Sequence, residues 1–568
     1  MKHPSILLAC ASFALTVYLG LAWEWLVPEA VWSPDEGAKL LQLANLRLEN
    51  GQLITSIPYL GQALDPNLEY ALENPQKNPL SLYHGELTLI RLPVFPLLTW
   101  PFFRWLGLRG LYVLPALAGA LSGLISLYLL APDERRFSMW LLIAFGSPIF
   151  IYATIFWEHT LAVTLGLAGM WVAMQSCQTG NSQTGSTLSL VRWLLTGALL
   201  SAAIYLRLEM IIFAIALLLA CLYLTEKRKW GPLVAGGICV LALLAYQPLH
   251  KALFAGKTTP RNVEYVVKYP LAYLTYAKWR IIPDLLIGPG EEEAIDPGRP
   301  GALWAVAAVI AIAATFSQSS IARRFYWLCL GVNSLAAVYF LFSNTFYRSA
   351  HGLLFTTPWV LAGITRMADV WKSQDERARI IVLTTALGLL GYTVGMIGLR
   401  ASSPHGGLEW GARFAMVFYP LLALIALWKW KPGRRLEMGL VWVLILLGFC
   451  FQFRGLWTIH HDKTVNHNLN QAILASSDNH VISDLWWMPL NAAPIYSQKA
   501  LFVASSAEEI ARFAQTALDH GVGQFTLATL NPNLPADISA ESQTLELRVM
   551  ETFRVENLVI FRLIIIPK

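Results

Sequence analysis

Long apolar runs recur along most of the chain, and they constrain its fold more than any other feature of the sequence. A transmembrane helix needs about 20 consecutive, mostly apolar residues. The run at 93–108 is short and contains three prolines, so it is predicted to be re-entrant or interfacial. The remaining runs predict about 13 transmembrane helices. They lie at 5–27, 110–131, 138–156, 160–175, 192–206, 209–225, 232–248, 301–317, 325–343, 352–368, 380–398, 412–430 and 437–453.

The composition agrees with a membrane protein. Residues of the AVILMFWYC set make up 56% of the chain and charged residues 14%, whereas roughly 25% of the residues in a soluble globular protein are charged. This composition excludes a soluble enzyme, a disordered chain and a fibrous repeat. The formal net charge of +6 is attributed to basic cytoplasmic loops, and nucleic-acid binding is not predicted.

Basic residues cluster in alternate loops between the apolar runs. The loops that contain 135–136, 227–229 and 434–435 carry such clusters, whereas the other short loops carry isolated arginines. Because cytoplasmic loops have an excess of Lys and Arg, the N-terminus is predicted to be cytoplasmic. An odd number of spans then places the C-terminus outside a bacterial-type inner or plasma membrane.

The polar parts of the chain are two long loops and a tail. The stretches 28–92 and 249–300 are predicted to be outer loops. The tail alternates a helical pattern beginning at Ala507 with strand-like runs, which is typical of a small α/β domain. The predicted fold is therefore an α-helical polytopic membrane domain over 1–453, followed by an extracytoplasmic α/β domain over 454–568.

Two adjacent carboxylates, Asp35 and Glu36, follow the first span in the segment Ser33-Pro34-Asp35-Glu36. At a membrane surface, one carboxylate would act as general base on a hydroxyl group, and the other would orient that group or hold a metal ion. The same pattern is typical of a helix start, because Ser-x-x-Glu is a capping box and acids favour a helix N-terminus. Both interpretations stay open at this point.

Four further ionisable residues lie at the predicted outer ends of the spans. Glu158 and His159 lie where one span turns into the next, and Arg207 and Glu209 interrupt the apolar sequence between two later spans. Ionisable residues within membrane segments are costly and therefore indicate function. The alternatives are an interfacial anchor for the first pair and a structural ion pair for the second.

Arg348 and Arg413 are also predicted to lie on the outer side. Arginines there oppose the positive-inside trend, so an anionic partner is predicted. Guanidinium groups bind phosphate through two parallel hydrogen bonds. A contact with a phospholipid headgroup, or an ion pair with Glu36, Glu158 or Glu209, is the alternative.

Common cofactor motifs are absent from the sequence. It contains no GxGxxG, GxxxxGK[ST] or HExxH motif, so no nucleotide or zincin site is predicted. His460, His461, Asp462 and His467 lack the spacing of a metal site and are interpreted as a polar linker. The outer face of a membrane also lacks ATP, so an enzyme there would need a substrate that is already activated.

Four stretches of the sequence together carry a family resemblance. They are Ser33-Pro34-Asp35-Glu36-Gly37, His84-Gly85-Glu86 through Leu98, Ser147-Pro148 through Glu158-His159, and Trp410-Gly411-Ala412-Arg413-Phe414 with Tyr419-Pro420-Leu421-Leu422. Taken in order, they resemble the GT-C superfamily of membrane glycosyltransferases, and most closely the bacterial relatives of protein O-mannosyltransferases and of lipid A aminoarabinose transferases. Three departures from the family pattern stand out: Ala412 replaces the usual proline, Glu158 stands where Asp is common, and 91–93 differs from Tyr-Pro-Pro-Gly.

This resemblance implies a GT-C fold and a glycosyltransferase that uses a polyprenyl-phosphate sugar donor. The sugar would pass, with inversion, to a hydroxyl group of a lipid, glycan or protein acceptor on the outer face of the membrane. Asp35 and Glu36 would be the catalytic carboxylates, with Asp35 as the base. Arg413, helped by Arg207 or Arg348, would bind the donor phosphate.

The resemblance also assigns the other side of the site. Glu158, His159 and Glu209 would shape the acceptor and sugar side. No cofactor is required by this interpretation. If a divalent metal such as Mg or Mn is used, Asp35 or Glu36 would hold it, and the assignment of the base would weaken.

A polytopic transporter or flippase for a lipid-linked or anionic substrate is the alternative function. The arginines would then line its path. Transporters usually contain internal repeats and binding residues at the membrane midplane. The sequence has no clear repeat, and the polar residues singled out are predicted to lie at one membrane face, which favours the enzyme.

Overall fold

The computed structural model divides the chain into two compact units. The helical unit comprises Met1–Ala22, Leu111–Tyr246 and Asn262–Thr458, and the α/β unit comprises Trp23–Gly110, Gln247–Arg261 and Ile459–Lys568. The predicted division at residue 453 stays a prediction. The structure describes residues 4–71, 81–83, 86–88, 93–130, 135–178, 186–224, 230–253, 298–315, 320–342, 350, 352–399, 408–429 and 435–568.

Helices make up most of the described chain. Two short irregular turns join the first helices, a π-helical turn at Leu21–Trp25 and a 3-10 turn at Gly107–Tyr112. The helices are α1 (Pro4–Gly20), α2 (Pro34–Ala44), α3 (Val94–Leu106), α4 (Val113–Leu129), α5 (Arg136–Phe145), α6 (Ile149–Tyr152), α7 (His159–Gln178), α8 (Ser186–Leu206), α9 (Met210–Leu224), α10 (Trp230–Leu253), α11 (Gly298–Ala314), α12 (Ser320–Phe342), α13 (Val360–Trp371), α14 (Glu376–Leu399), α15 (Phe418–Leu427), α16 (Arg435–Ala475), α17 (Met488–Asn491), α18 (Ala507–Asp519) and α19 (Leu534–Glu541).

Seven helices among the described residues are long and apolar enough to cross a membrane. Shorter apolar helices include α5, α9, α10, α11 and α15. These helices, together with the C-terminal sheet described below, confirm the prediction of an α-helical polytopic membrane protein with a C-terminal α/β region. The seven are Ser5–Trp25, Val94–Leu129, His159–Gln178, Thr187–Leu206, Arg324–Phe342, Glu376–Gly395 and Met438–Ala475.

Three predicted spans differ from the helices that form, and the one at 412–430 is α-helical only over α15, Phe418–Leu427. The run at 138–156 is broken after α5, because Ser147 turns its side chain back to the carbonyl of Ile143 (2.6 Å) and Pro148 lacks a backbone N–H. The run at 352–368 forms a helix only from Val360 onward, so α13 has 12 residues. Local turns therefore shorten the segments at 138–156 and 352–368.

The helical unit packs around α4. Helix α4 contacts α1, α5 and α7, and α7 also packs against α8. Near the end of α5, Trp359 donates from Nε1 to the carbonyl of Gly146 (2.7 Å), and Tyr18 donates to the carbonyl of Ala144 (2.7 Å). These two long-range hydrogen bonds fix the chain just before the segment that leads to Glu158.

The described β-strands belong to the α/β unit. They are β1 (Arg47–Glu49), β2 (Gln52–Ile54), β3 (Ser81–Tyr83), β4 (Glu86–Thr88), β5 (His480–Ser483), β6 (Ala500–Val503), β7 (Gln524–Thr529), β8 (Leu545–Val555) and β9 (Leu558–Pro567). Five of them form a sheet with the order β6-β5-β7-β9-β8. Strand β5 is parallel to β6 and β7, and β9 is antiparallel to β7 and β8. The register pairs Val481 with Leu501 and Thr526, and Leu527 with Phe561.

The first polar loop belongs to the same unit as the tail. Val503 at the end of β6 donates its N–H to the carbonyl of Tyr70 (2.9 Å), and the Tyr70 ring meets Phe513 edge-on at 5.4 Å. Helix α2 packs against α17. The contact is close, since a Cβ on Gly37 would lie 1.8 Å from the carbonyl oxygen of Leu490. Helix α2 is therefore held on the tail domain through backbone contact.

Candidate functional site

The Arg413 segment of the helical unit is a tight turn held by backbone hydrogen bonds. Ala350 donates to the carbonyl of Glu409 (2.9 Å), and Gly411 donates back to the carbonyl of Ala350 (2.6 Å). Gly411 has a φ of +76°, which favours glycine, and a Cβ there would lie 2.5 Å from Pro148. The turn thus brings Arg413 close to the chain after α5.

Two tyrosine hydroxyl groups fix the same turn from neighbouring helices. Tyr152 of α6 accepts from the N–H of Trp410 at 3.2 Å, and Tyr419 of α15 accepts from the N–H of Ala412 at 3.0 Å. Trp410 is fully buried. The backbone on both sides of Gly411 is therefore anchored, and Arg413 follows directly as a buried residue.

Arg207 lies between two carboxylates. It follows the last residue of α8, and Glu209 precedes α9. Its Nη1 atom is 2.8 Å from Oε1 of Glu158, and its Nε atom is 2.6 Å from Oε1 of Glu209. Burial acts to lower the pKa of the Arg207 guanidinium, but the two carboxylates together raise it by more, so the pKa lies above its usual value. Arg207 is therefore a permanent cation in this site.

Arg413 is paired with Glu409, a residue that the sequence analysis did not single out. Its Nε atom lies 2.8 Å from Oε2 of Glu409, and both side chains are almost completely buried. Its guanidinium carbon lies 4.8 Å from the ring centre of Trp157 and 4.9 Å from that of Phe414. Arg207 also lies over the Phe414 ring, at 5.6 Å. The Phe414 ring is thus shared by both cations.

His159 begins α7 and packs against two aromatic rings. Its ring stacks on Trp157 at 5.0 Å and lies 5.0 Å from Tyr152. The side chain is 2% exposed. His159 is therefore oriented by the same aromatic side chains that support Arg413 and its turn.

A small pocket collects these groups. His159, Arg207, Glu209 and Arg413 all line it, and Phe414 covers part of its wall. The empty space amounts to about 200 Å³, including space open to solvent. Chemically, this pocket offers two guanidinium groups to an anion and the Glu209 carboxylate to hydroxyl or cationic groups. Four residues predicted from isolated sequence positions thus lie together, and Glu158 joins them through Arg207.

The predicted catalytic carboxylates belong to the α/β unit. Ser33 caps α2, its Oγ accepting from the N–H of Glu36 at 3.4 Å, and Oε2 of Glu36 accepts from the N–H of Trp32 at 2.5 Å. Glu36 is 1% exposed, whereas Asp35 is partly exposed in the first turn. The capping-box interpretation therefore describes Glu36, and the catalytic roles of both residues stay predictions.

Two further predictions concern Arg348 and a metal site. Arg348 lies outside the described residues. In the described chain, no group of three or more His, Cys, Asp or Glu side chains is arranged to hold a metal ion. A divalent metal at Asp35 or Glu36 stays a prediction.

The segment interpreted as a polar linker is part of α16 and makes specific contacts within the α/β unit. His460 stacks on Trp25 with ring centres 4.9 Å apart, and Asp462 accepts from Nε1 of Trp32 at 3.1 Å. Asn466 donates to the carbonyl of Val31 at 2.9 Å. These polar residues therefore anchor the chain that leads to α2.

Glu409 is the main residue that sequence reasoning missed. The signal was its position four residues before Arg413, a spacing typical of ion pairs. The two residues are not in one helix, because Gly411 between them has a positive φ and forms a turn. Recognising the pair therefore required the turn itself.

Comparisons with known proteins give matches at the level of three-dimensional structure. No family model and no curated protein matches the sequence. The chain is similar to the crystal structure of ArnT from Cupriavidus metallidurans bound to undecaprenyl phosphate, with 11% identity, a TM-score of 0.48, and coverage of 98% of this chain and 97% of that one. For apo ArnT from the same organism, the identity is 10% and the TM-score 0.49, with coverage of 97% and 98%.

The chain is also similar to an oligosaccharyltransferase. The apo crystal structure of the Archaeoglobus fulgidus enzyme is 12% identical to it, with a TM-score of 0.47. The match covers 92% of this chain and 69% of that one.

Proposed function

We propose that this protein is a membrane glycosyltransferase that moves a sugar from a polyprenyl-phosphate donor to a hydroxyl acceptor on the outer face of the membrane, with inversion. The observation that carries the proposal is the convergence of Arg207 and Arg413 on one pocket with Glu209 and His159. Paired guanidinium groups suit a phosphate, and the surrounding apolar helices suit a lipid-linked donor.

The reaction needs charge stabilisation at the donor phosphate. When the acceptor oxygen attacks the anomeric carbon, the bond from that carbon to the phosphate oxygen breaks, and the phosphate gains negative charge. Arg413 and Arg207 would stabilise that charge in a site from which most water is excluded. Both are held in fixed orientations, Arg413 by Trp157 and Phe414 and Arg207 by its carboxylates.

The acceptor hydroxyl must lose a proton during this attack. By resemblance to the GT-C superfamily, Asp35 would take that proton. Its place in the first turn of α2, partly exposed, suits a base better than the buried Glu36 does. Glu158, Glu209 and His159 would contact the sugar or the acceptor.

The first experiment uses the full-length protein purified in lipid. A panel of radiolabelled polyprenyl-phosphate sugars is supplied with a membrane extract as acceptor, for the wild type and for Arg413→Gln. We expect wild-type transfer from one donor, and a loss of about 10²–10³-fold in kcat/KM for the variant. Arg366 supplies a matched control, because its guanidinium binds carbonyl groups at the end of α15 and does not line the pocket.

Two outcomes would contradict the proposal. Equal transfer by wild type and Arg413→Gln would show that the pocket takes no part in sugar transfer. Movement of a labelled lipid-linked substrate across the bilayer without transfer would instead support the transporter. Arg366→Gln should lower stability but leave the kcat/KM of the folded fraction unchanged.

A further inference from the structure

The arginines of the pocket are already neutralised by carboxylates. Arg207 contacts both Glu158 and Glu209, and Arg413 contacts Glu409. Among the described residues, three carboxylates therefore face two guanidinium groups. The exposed fraction of these side chains is 18% or less, so water screens the charges weakly.

This arrangement differs from a pocket that only attracts anions. Three carboxylates beside two guanidinium groups oppose the entry of a phosphate, because like charges repel strongly where water is scarce. A buried guanidinium group without any counter-ion is itself costly. The carboxylates therefore stabilise the buried arginines and, at the same time, compete with a phosphate for them.

We propose that Glu409, together with Glu158 and Glu209, serves as an exchangeable counter-ion that holds the arginines while no phosphate is bound. This inference rests on the proposed function. On donor binding, Arg413 exchanges Glu409 for the phosphate, and after transfer the carboxylate returns and helps the polyprenyl phosphate to leave. Glu409 is thus a positioning residue that sets how tightly the product is held.

The two arginines differ in a way that makes the exchange testable. The side chains of Arg413 and Glu409 are 6% and 2% exposed, whereas those of Arg207 and Glu209 are each 18% exposed, and Arg207 also contacts Glu158. Removing the charge of Glu409 therefore has two effects at Arg413. It removes the carboxylate that repels an incoming phosphate, and it leaves the guanidinium group without that counter-ion. Removing the charge of Glu209 leaves Glu158 on Arg207, so the effect should be smaller.

The test measures binding of a short-chain polyprenyl phosphate to the full-length protein in lipid nanodiscs, without any sugar or acceptor. We expect Glu409→Gln to bind it at least about tenfold more tightly than the wild type, and Glu209→Gln a few-fold more tightly. The matching polyprenyl alcohol should bind all three proteins equally. Glu551→Gln, at an exposed position on β8, should bind the phosphate like the wild type.

A kinetic readout separates this role from a merely structural one. In Glu409→Gln, the donor KM and kcat should both fall, because product release slows. Substitution of a residue that only supports the fold would lower kcat without increasing the affinity for the polyprenyl phosphate. If Glu409→Gln does not fold, Glu209→Gln carries the test, and its expected result is the same change on a smaller scale.

The outcomes distinguish this inference from the proposed function. If the wild type binds the phosphate lipid and the glutamine variants bind it equally or more weakly, the counter-ion exchange is wrong and the glycosyltransferase proposal stands. If the wild type binds the phosphate no better than the alcohol, the proposed function fails, and the exchange fails with it.

Discussion

Two helices of the α/β unit begin with the same motif in different surroundings. Helix α2 begins with Ser33-Pro34-Asp35-Glu36, and α18 begins with Ser506-Ala507-Glu508-Glu509. In both, the serine hydroxyl accepts from the N–H of the glutamate, at 3.4 and 3.2 Å. Each glutamate carboxylate in turn accepts from the N–H that precedes the serine, at 2.5 Å.

The difference between the two helix starts lies in burial and packing. Glu36 is 1% exposed and α2 packs against α17, whereas its counterpart Glu509 in α18 is only half-buried. A capping box therefore accounts for the local geometry in both places. It does not explain why one box is buried in the tail domain. The α18 motif is a natural control for any role of Asp35 beyond the cap.

The largest expected difference is in catalysis. Asp35 and Glu508 occupy the same position of the motif, two residues after the serine. Asp35→Asn should lower kcat by about 10²–10⁴-fold, because a general base is lost. Glu508→Gln should leave transfer unchanged. The measurement is single-turnover transfer with the donor that the panel of polyprenyl-phosphate sugars identifies. Similar activity in both variants would reduce Asp35 to a helix cap.

The second difference concerns close packing after the cap. Gly37→Ala should destabilise the protein by about 1–3 kcal/mol, because its Cβ would overlap the carbonyl oxygen of Leu490. Gly523→Ala is the control, since no heavy atom lies within 4 Å of its Cβ position. Denaturant unfolding of the purified variants measures both. Equal stability would mean that α2 shifts freely on the tail domain.

The third difference is the contribution of the two capping glutamates. Glu36→Gln should lower the free energy of unfolding by about 1–3 kcal/mol, because the buried N–H of Trp32 would then donate to a neutral amide oxygen and no longer to a carboxylate. Glu509→Gln, at a half-buried position, should cost about 0.5–1 kcal/mol. The same unfolding assay applies. A larger effect at Glu509 would contradict the assigned burial.

The smallest expected difference is between the serines. Ser33→Ala and Ser506→Ala should each cost about 1 kcal/mol, because each removes one N-cap hydrogen bond. Thermal unfolding of the two variants under one condition compares them directly. A much larger loss for Ser33→Ala would indicate that this serine does more than cap α2.

Much of the helical architecture was predictable from local sequence. Apolar runs and helix starts depend on residues close in the chain, so most apolar runs form helices and α2 begins at its Ser-x-x-Glu motif, although 93–108, predicted to be interfacial, lies almost entirely within the candidate span Val94–Leu129. The breaks at Pro148 and before Val360 were not predicted, because the surrounding sequence stays apolar through both. The hydropathy of a segment does not reveal a turn when the residues on both sides of the turn are apolar.

The sequence by itself determined the residue types of the candidate site but not their partners. It identified Glu158, Arg207 and Arg413 as charges out of place in an apolar chain, since that property is local. Only the tertiary structure decided that Arg207 meets Glu158, 49 positions away, and that a glycine turn brings Glu409 onto Arg413. The reason is physical: burial makes a charge costly wherever it lies, but the counter-ion that stabilises it depends on which helices pack together.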